Sequence, residues 1–488
     1  MWFEWSFQQP SVLGILSLLF LITSIAIAII IILEKRSPFK TAAWILVLVL
    51  IPLLGLIFYL FFGQEYRKKK LFSRRGLKAL GRYRSITSRQ LRTIQNSEYQ
   101  LPPQIGHFKK IIALLLNNSS AIVTTGNRLT ILNNGRKTME ALFNALSQAR
   151  HHIHMEYYII EDDQTGNRLR EILLERRKAG VEVRIIIDDV GSWGLSRKYI
   201  RELKQAGIAI YSFMEVRFPR LTGKVNYRNH RKIVIVDGHT GFTGGVNIAD
   251  RYVFGTKKLG LWRDTHLQIE GDAVASLQVV FAADWFFVRG ENLTGQAYFL
   301  PFREYAGVPV QISASGPDSD WDSISQAFFT AIASARKEVF IATPYLMPTP
   351  SILTALKTAA LGGIDVRIIM PEIPDALLPK WVSFSYVEEL LEAGVRIFLY
   401  QKGFLHSKVM LVDGSFATIG TTNLDFRSLE TNFEINAFVY DEQFSRHMSA
   451  FYKVDLRNSR EILLNEWKRR PWYKKSMESF AYLISPLF

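Results

Sequence analysis

The sequence predicts an α/β protein of two tandem domains, each a mixed sheet flanked by helices. The domains are expected to be related by a pseudo-two-fold axis and preceded by an N-terminal two-helix transmembrane hairpin. Three observations carry this reading. Two long uncharged runs stand near the N-terminus, helical periods alternate with short Val- and Ile-rich runs beyond residue 105, and the second half repeats the first. Of the 488 residues, 48% are apolar, 13% aromatic and only 21% charged, which excludes disorder and points toward lipid. Sixty Lys and Arg against forty-four Asp and Glu leave a formal charge of +16. The expected partner is therefore a polyanion or an anionic membrane surface. Without cysteine, disulfides, thiolate metal sites and thiol nucleophiles fall away together.

From Val12 to Leu33, 22 residues carry no charge. At about 1.5 Å per residue they reach across a hydrocarbon core of roughly 30 Å. The opening MWFEWSFQQP lacks Lys and Arg, the run is too long, and no small-residue cleavage site follows, which argues against a secretory signal. A second uncharged run, 41–63, carries Trp44 and Tyr59 near its ends as interfacial anchors and Pro52 as a kink. Only the stretch from Glu34 to Lys40 separates the runs, so helices 12–33 and 41–63 are expected to form a hairpin within a first segment, 1–64. The loop offers Lys35, Arg36 and Lys40, but the stretch from Arg67 to Arg92 is far more basic, which places everything downstream in the cytoplasm. Segment 65–105 reads as a basic juxtamembrane linker able to meet anionic headgroups.

The repeat defines the rest. ALFNALSQARHHIHMEYYI from Ala141 matches AFFTAIASARKEVFIATPY from Ala327, 186 residues on. GVEVRIII at Gly180 matches GIDVRIIM at Gly363, and LKQAGIAIY matches LLEAGVRIFLY with Gly207 and Gly394 in register. A period of this length is domain duplication, not a solenoid. The expected domains are 106–297 and 298–488, the second closing on a membrane-proximal tail.

Each copy then holds the same constellation. The first has His230, Lys232, Asp237, Gly244, Gly245 and Asn247; the second has His406, Lys408, Asp413, Gly420 and Asn423, with matching intervals. On a strand, i and i+2 share a face, so His and Lys point together while Arg231 and Ser407 point away. The small Gly pair is expected to let backbone and the Asn amide approach a bound group. An imidazole beside an ammonium and an amide suits attack on a phosphoryl centre.

HxKxxxxD followed after six residues by Gly-Gly or Gly-Thr, one residue and Asn resembles the phospholipase D superfamily signature, and it occurs twice. KRSPFKTAAWILVLVLIPLLGLIFYLFFG, NHRKIVIVDGHTGFTGGVNIADRY, WRDTHLQIEG, IGTTNLDFRSLETNFEINAFVYD and the closing ISPLF are similar to the bacterial cardiolipin synthases of that superfamily. The chain departs in GGVN against GTTN, and in about eleven extra residues within FMEVRFPRLTGKVNYR ahead of His230. The resemblance implies two phospholipase D-like domains in a bacterial inner-membrane, multi-pass enzyme without cofactor or metal. It implies one active site between the copies, with His230, Lys232, Asp237, His406, Lys408 and Asp413 as the signature set. Lys232, Lys408, Asn247 and Asn423 would hold phosphoryl oxygens; Asp264 and Glu434 would each bond the far nitrogen of a histidine. His230 is taken as nucleophile and His406 as acid and base, while Asp237 and Asp413 read as structural partners at strand ends. The implied reaction joins two phosphatidylglycerol molecules into cardiolipin and glycerol, with no nucleic acid partner.

Weaker signals have plainer readings. His151, His152 and His154 read as ordinary surface residues at the start of a strand, not as metal ligands. ALLPKWVSFSY, from Ala376, reads as core before lipid portal, and EWKRRPWYKK, from Glu466, fits a peripheral membrane contact as well as docking on the protein itself. Rival functions are a tethered phosphodiester hydrolase, transfer using phosphatidylethanolamine, and a lipid-binding scaffold.

Overall fold

The structure, a computed structural model, describes residues 79–95, 106–215, 227–300 and 307–484, with positions 22, 23, 25–29, 32, 33, 38–50, 55 and 59. It divides into two units, 1–65 with 216–226 and 482–488, and 66–215 with 227–481.

In the first unit the helix Pro38–Leu50 has 13 residues, about 20 Å at 1.5 Å each. Among the described residues no helix is long and apolar enough to cross a membrane. Most of the expected run 12–33 lies outside the described residues. The expected run 41–63 is not one straight helix: Trp44 and Tyr59 would be more than about 20 Å apart along it. Their rings instead meet edge-on at 5.5 Å, both buried. Gly55 likewise lies too close to the Val47 and Leu48 backbone to admit a Cβ, and the expected kink at Pro52 lies outside the described residues. The two aromatic side chains form one packed pair instead of anchors at opposite ends. Most of the insertion ahead of His230, 216–226, and the last residues of ISPLF, 485–488, lie outside the described residues, as does much of segment 65–105.

The second unit holds two large sheets and two short two-stranded parallel pairings. In chain order the strands are β1 Val123–Thr124, β2 Asn127–Asn133, β3 His152–Tyr157, β4 Glu182–Asp188 and β5 Ala209–Phe213. These are followed by β6 Ile233–Val236, β7 Thr240–Gly244, β8 Trp262–Arg263 and β9 Thr265–Gly271. The second half adds β10 Val310–Ser315, β11 Glu338–Ala342, β12 Leu346–Met347, β13 Asp365–Pro371, β14 Arg396–Tyr400 and β15 Phe404–Leu405. It ends with β16 Val409–Val412, β17 Phe416–Gly420, β18 Leu424–Asp425, β19 Glu434–Val439 and β20 Ser459–Glu461.

One sheet runs β2-β9-β7-β6-β3-β4-β5 and the other β1-β10-β19-β17-β16-β11-β13-β14-β20. Strands β3, β4 and β5 are parallel, as are β11, β13 and β14, and the remainder pair antiparallel, so both sheets are mixed. The order β9-β7-β6-β3-β4-β5 recurs as β19-β17-β16-β11-β13-β14, which is the duplication read at the level of topology. The central strands β6, IVIV, and β16, VMLV, are buried throughout because apolar layers cover both faces.

Helices Asn134–Ser147, Gln164–Lys178 and Arg197–Gln205 cover the outer face of the first sheet, their apolar stripes packed on Ile153, Val183 and Ile210. Asp163 and Ser196 start the latter two by accepting the Gly166 and Tyr199 amides. The outer face of the second sheet is covered by Lys109–Ser119, Ser323–Ala333 and Pro350–Leu361. Between the sheets lies a shared core. The helix Ala273–Arg289, apolar nearly all round, buries Leu277, Phe281 and Trp285 among Ile235 and Ile269 of one sheet and Ile312, Leu411 and Ile435 of the other. Phe444, Met448 and Tyr452 of helix Glu442–Arg457 join the same core. The first soluble elements cross over: β1 pairs with β10, and Phe108, Ile112 and Leu115 pack with Ile324 and Phe416 of the second half.

Candidate active site

The two copies meet by trading strands. β8 pairs in parallel with β15, Trp262 beside Phe404 and Arg263 beside Leu405, and His406 N–H donates to the Arg263 carbonyl at 2.8 Å. On the other side Asn229 bridges Phe433, and His230 N–H donates to the Phe433 carbonyl at 2.9 Å. In each place the next residue is a histidine on one strand and a carboxylate on the other. Asp264 Oδ2 therefore lies 2.6 Å from Nδ1 of His406, and Glu434 Oε2 3.0 Å from Nδ1 of His230. Each histidine is partnered by the acid of the other copy. Both acids are held in turn: Asp264 Oδ1 accepts the Thr265 amide at 2.7 Å, and Glu434 accepts the Thr421 hydroxyl.

All four residues are buried, and so are both lysines. Lys232 Nζ donates to the His230 carbonyl at 2.8 Å, and Lys408 Nζ reaches the His406 carbonyl at 2.5 Å with both ring nitrogens within 3.1 Å. Burial pushes the His406 imidazole down to about 3, with Lys408 and Lys232 adding to the effect. Burial also lowers His230, against the pull of Glu434 and together with both lysines. Each ring thus feels the ammonium of both motifs, which makes one electrostatic site of the two. Burial pushes Lys232 down to about 7 and Lys408 to about 8. Asp264 stays below its ordinary value: burial raises it, but Lys408 and His406 outweigh that.

Asn247 and Asn423 are buried at the ends of the glycine turns. Asn247 Nδ2 donates to the Tyr252 hydroxyl at 2.6 Å and its Oδ1 accepts the Ile159 amide at 3.2 Å. Asn423 Oδ1 has no hydrogen-bond partner among the described residues.

The signature aspartates lie away from the imidazoles, at the strand ends: Asp237 and Asp413 are seven residues further on, at most about 23 Å at 3.3 Å per residue. Asp237 accepts the amides of Arg150, His151 and His152 at 2.8–2.9 Å, and Asp413 those of Arg336, Lys337 and Glu338. Both take left-handed backbone angles, φ +53° and +52°, in the hairpin turn. They tie the repeated strand to its hairpin, and neither touches the site. One expectation needs correcting: the glycines do not open space for a bound group. A Cβ at Gly245 would meet the Asp264 carboxylate, and one at Gly420 the Asn436 side chain. The room they leave is already taken, at Gly245 by the partner of His406.

The sequence reading missed the walls. Tyr158 stands edge-on to His230 at 4.9 Å, while Tyr252, Trp262 and Phe404 surround His406 at 5.5, 5.2 and 5.8 Å. All four sit in or beside the quoted motifs. Arg231 and Ser407, on the opposite face as alternation requires, lock the copies. The Arg231 guanidinium pairs with Asp284 and reaches the Glu434 and Ser315 carbonyls, and Ser407 Oγ meets Thr265 Oγ1 at 3.2 Å. His152 and His154 are buried and not on the surface. His154 stacks on Phe281 at 4.6 Å and bonds Gln278 at 2.9 Å, and burial lowers both imidazoles, His152 to about 4. ALLPKWVSFSY forms helix Leu377–Ser385, with Val382 and Ser383 buried and Leu377 exposed.

A family model described as "Cardiolipin synthase, PLD-like domain" matches residues 142–285 and 328–455, and one described as "Phospholipase_D-nuclease N-terminal" matches 21–64. The chain is 42% identical over 486 residues to a cardiolipin synthase of Halalkalibacterium halodurans, covering 99% of this chain and 95% of that one. It is 44% identical over 476 residues to cardiolipin synthase 2 of Bacillus anthracis, covering 96% and 90%. It is 38% identical over 481 residues to the major cardiolipin synthase of Bacillus subtilis, covering 98% and 100%. Among solved structures, a phosphatidylserine synthase of Haemophilus influenzae superposes with a TM-score of 0.59 at 14% identity, covering 78% of this chain and all of that one, a likeness of fold. With its duplicated motif, its paired sheets and these relatives, the chain belongs to the phospholipase D-like cardiolipin synthase family.

Proposed function

We infer that the protein transfers a phosphatidyl group from one phosphatidylglycerol to the hydroxyl of a second, giving cardiolipin and glycerol. The observation that carries this reading is the pair of buried imidazoles, each oriented through Nδ1 by a carboxylate of the opposite copy and each feeling the charge of both buried lysines. A histidine whose Nδ1–H is held by a carboxylate presents a neutral Nε2 as nucleophile or proton acceptor.

His230 Nε2 attacks phosphorus, and the bond to the leaving glycerol oxygen breaks as His406 gives that oxygen a proton. His406 then takes the proton of the incoming lipid hydroxyl, whose oxygen displaces the phosphatidyl group from His230. One phosphodiester replaces another, so no nucleotide is needed. Lys232, Lys408, Asn247 and Asn423 hold the non-bridging oxygens. The anionic phosphodiester favours the charged lysines and lets His406, otherwise held neutral, take up its proton. Burial of the site and its aromatic walls favour a lipid acceptor over water. Asp237 and Asp413 belong to the fold of each motif and have no part in these steps.

The substrates are lipids, and segment 1–64, of which the N-terminal family model matches 21–64, holds the enzyme at the cell membrane in this reading, with residues 106–297 and 298–488 on its cytoplasmic side. The anionic surface and basic flank are complementary.

The test is purified full-length protein in phosphatidylglycerol vesicles with a labelled glycerol headgroup. Labelled glycerol and cardiolipin in equal amounts are expected, and both are lost in His230→Ala and His406→Ala. Phosphatidic acid as the main product would replace this reading with a hydrolase. A covalent phosphatidyl adduct mapped to His406 would reverse the two histidine roles.

A further inference from the structure

Helix Trp472–Ile484 is clamped by one side. Glu478, 6% exposed, accepts two bonds from Arg470 at 2.6 and 2.8 Å; Arg470 lies over the Trp467 ring at 3.3 Å, and Ala481 is 1% exposed. At about 100° per residue, Trp472, Tyr473, Met477, Phe480 and Leu483 fall on an arc of about 140° facing elsewhere. That arc is bare: Trp472 is 78%, Phe480 66% and Leu483 68% exposed. Folding leaves a contiguous apolar stripe in the open, a feature that marks an interaction surface. Lys474 and Lys475 sit on the same helix, and Lys468 and Arg469 just before it.

We propose that this helix lies in the plane of an anionic phospholipid surface, with its apolar stripe in the acyl boundary and its lysines at the phosphates. The combination of an apolar stripe with neighbouring basic residues selects that occupant. Trp and Tyr suit the membrane interface, Phe and Leu at the same angles on the helix suit its acyl side, and the basic residues beside the stripe complement anionic lipid. Lys468 pairs with Glu392 at 2.5 Å and Lys475 donates to the Lys468 carbonyl at 2.8 Å, so the anionic surface is met first by Lys474 and Arg469. The proposal rests on the reading that the substrates reside in a bilayer, and adds a second point of attachment, at the opposite end of the chain from segment 1–64.

The absence of cysteine makes the test direct. Phe480→Cys and Lys474→Cys are each spin-labelled in the full-length protein and reconstituted in vesicles of phosphatidylcholine with or without phosphatidylglycerol. With phosphatidylglycerol, the label at 480 is expected to be reached by oxygen and shielded from a water-soluble nickel chelate, and the label at 474 the reverse. Chelate access at 480 equal to that at 474 would overturn the proposal. So would a 480 label shielded from both relaxants, since another part of the protein or a second copy then covers the stripe. Shielding that is unchanged in phosphatidylcholine alone would overturn the anionic preference. In Phe480→Glu/Leu483→Glu, which alters only exposed positions, shielding read from a label at 477 is expected to vanish. The same variant is expected to turn over less lipid in vesicles, with turnover of detergent-dispersed lipid retained. Label accessibility needs no turnover, so loss of cardiolipin synthesis and loss of docking are read separately.

Discussion

His406 and Asp264 stand 142 positions apart in the chain and 2.6 Å apart in space, and this one pairing predicts how lesions combine. Asp264→Asn leaves the shape of the site but removes the charge that orients and supports the imidazole. It should therefore lower turnover by about 10²- to 10⁴-fold, the range of acid–base catalysis. Added to His406→Ala it should cost little more, since the carboxylate acts through that ring; residual single-turnover rates of the single and double variants check this. The lysines set the pH response. The free enzyme loses the Lys232 charge near 7 and that of Lys408 near 8, so kcat/KM should fall as pH rises through that window. Stability should move the other way. Unfolded lysine keeps its proton up to about 10.5, the folded Lys232 releases it near 7, and between these values the unfolded state binds more protons. The melting temperature should therefore climb over the range in which activity declines, a pair of curves obtainable from one set of buffers.

At the scale of elements, the motif is a hairpin with two ends that do different work. At the turn end Asp237 gathers three amide N–H groups; Asp237→Ala frees them and keeps a left-handed residue. A stability loss of about 2–3 kcal/mol in denaturant unfolding is expected. The folded fraction should keep its kcat, since the site lies at the other end of β6. At the far end Gly245 gives its space to Asp264. Gly245→Ala should displace the carboxylate from His406 and cut turnover far more than it changes the unfolding midpoint; measuring both on one preparation distinguishes the two ends.

For the whole molecule, reciprocity is the main constraint. Neither half contains a complete histidine–carboxylate pair, and the helix Lys109–Ser119 with β1 completes the second sheet from the first half of the chain. Chains cut between 300 and 307 should be inactive alone, while the two fragments expressed together should copurify and recover activity. The shared core around Ala273–Arg289, with Arg231 reaching the Glu434 and Ser315 carbonyls of the second half, provides the surface that holds them.

Much of this was legible from residues alone. The period near 186, the alternation that puts His with Lys, and the Val- and Ile-rich strands are local patterns, and local patterns survive without a fold. The sequence also marked Asp264 and Glu434 by resemblance, but with two histidines and two acids in equivalent copies it could not say which acid meets which ring. That was decided by the parallel pairing of β8 with β15 and of Asn229 with Phe433, contacts between residues more than a hundred positions apart. The glycine pair and the buried His152 and His154 were misread for the same reason. What fills the space beside a residue is set by the partner strand or helix, and that partner arrives only when the chain has packed.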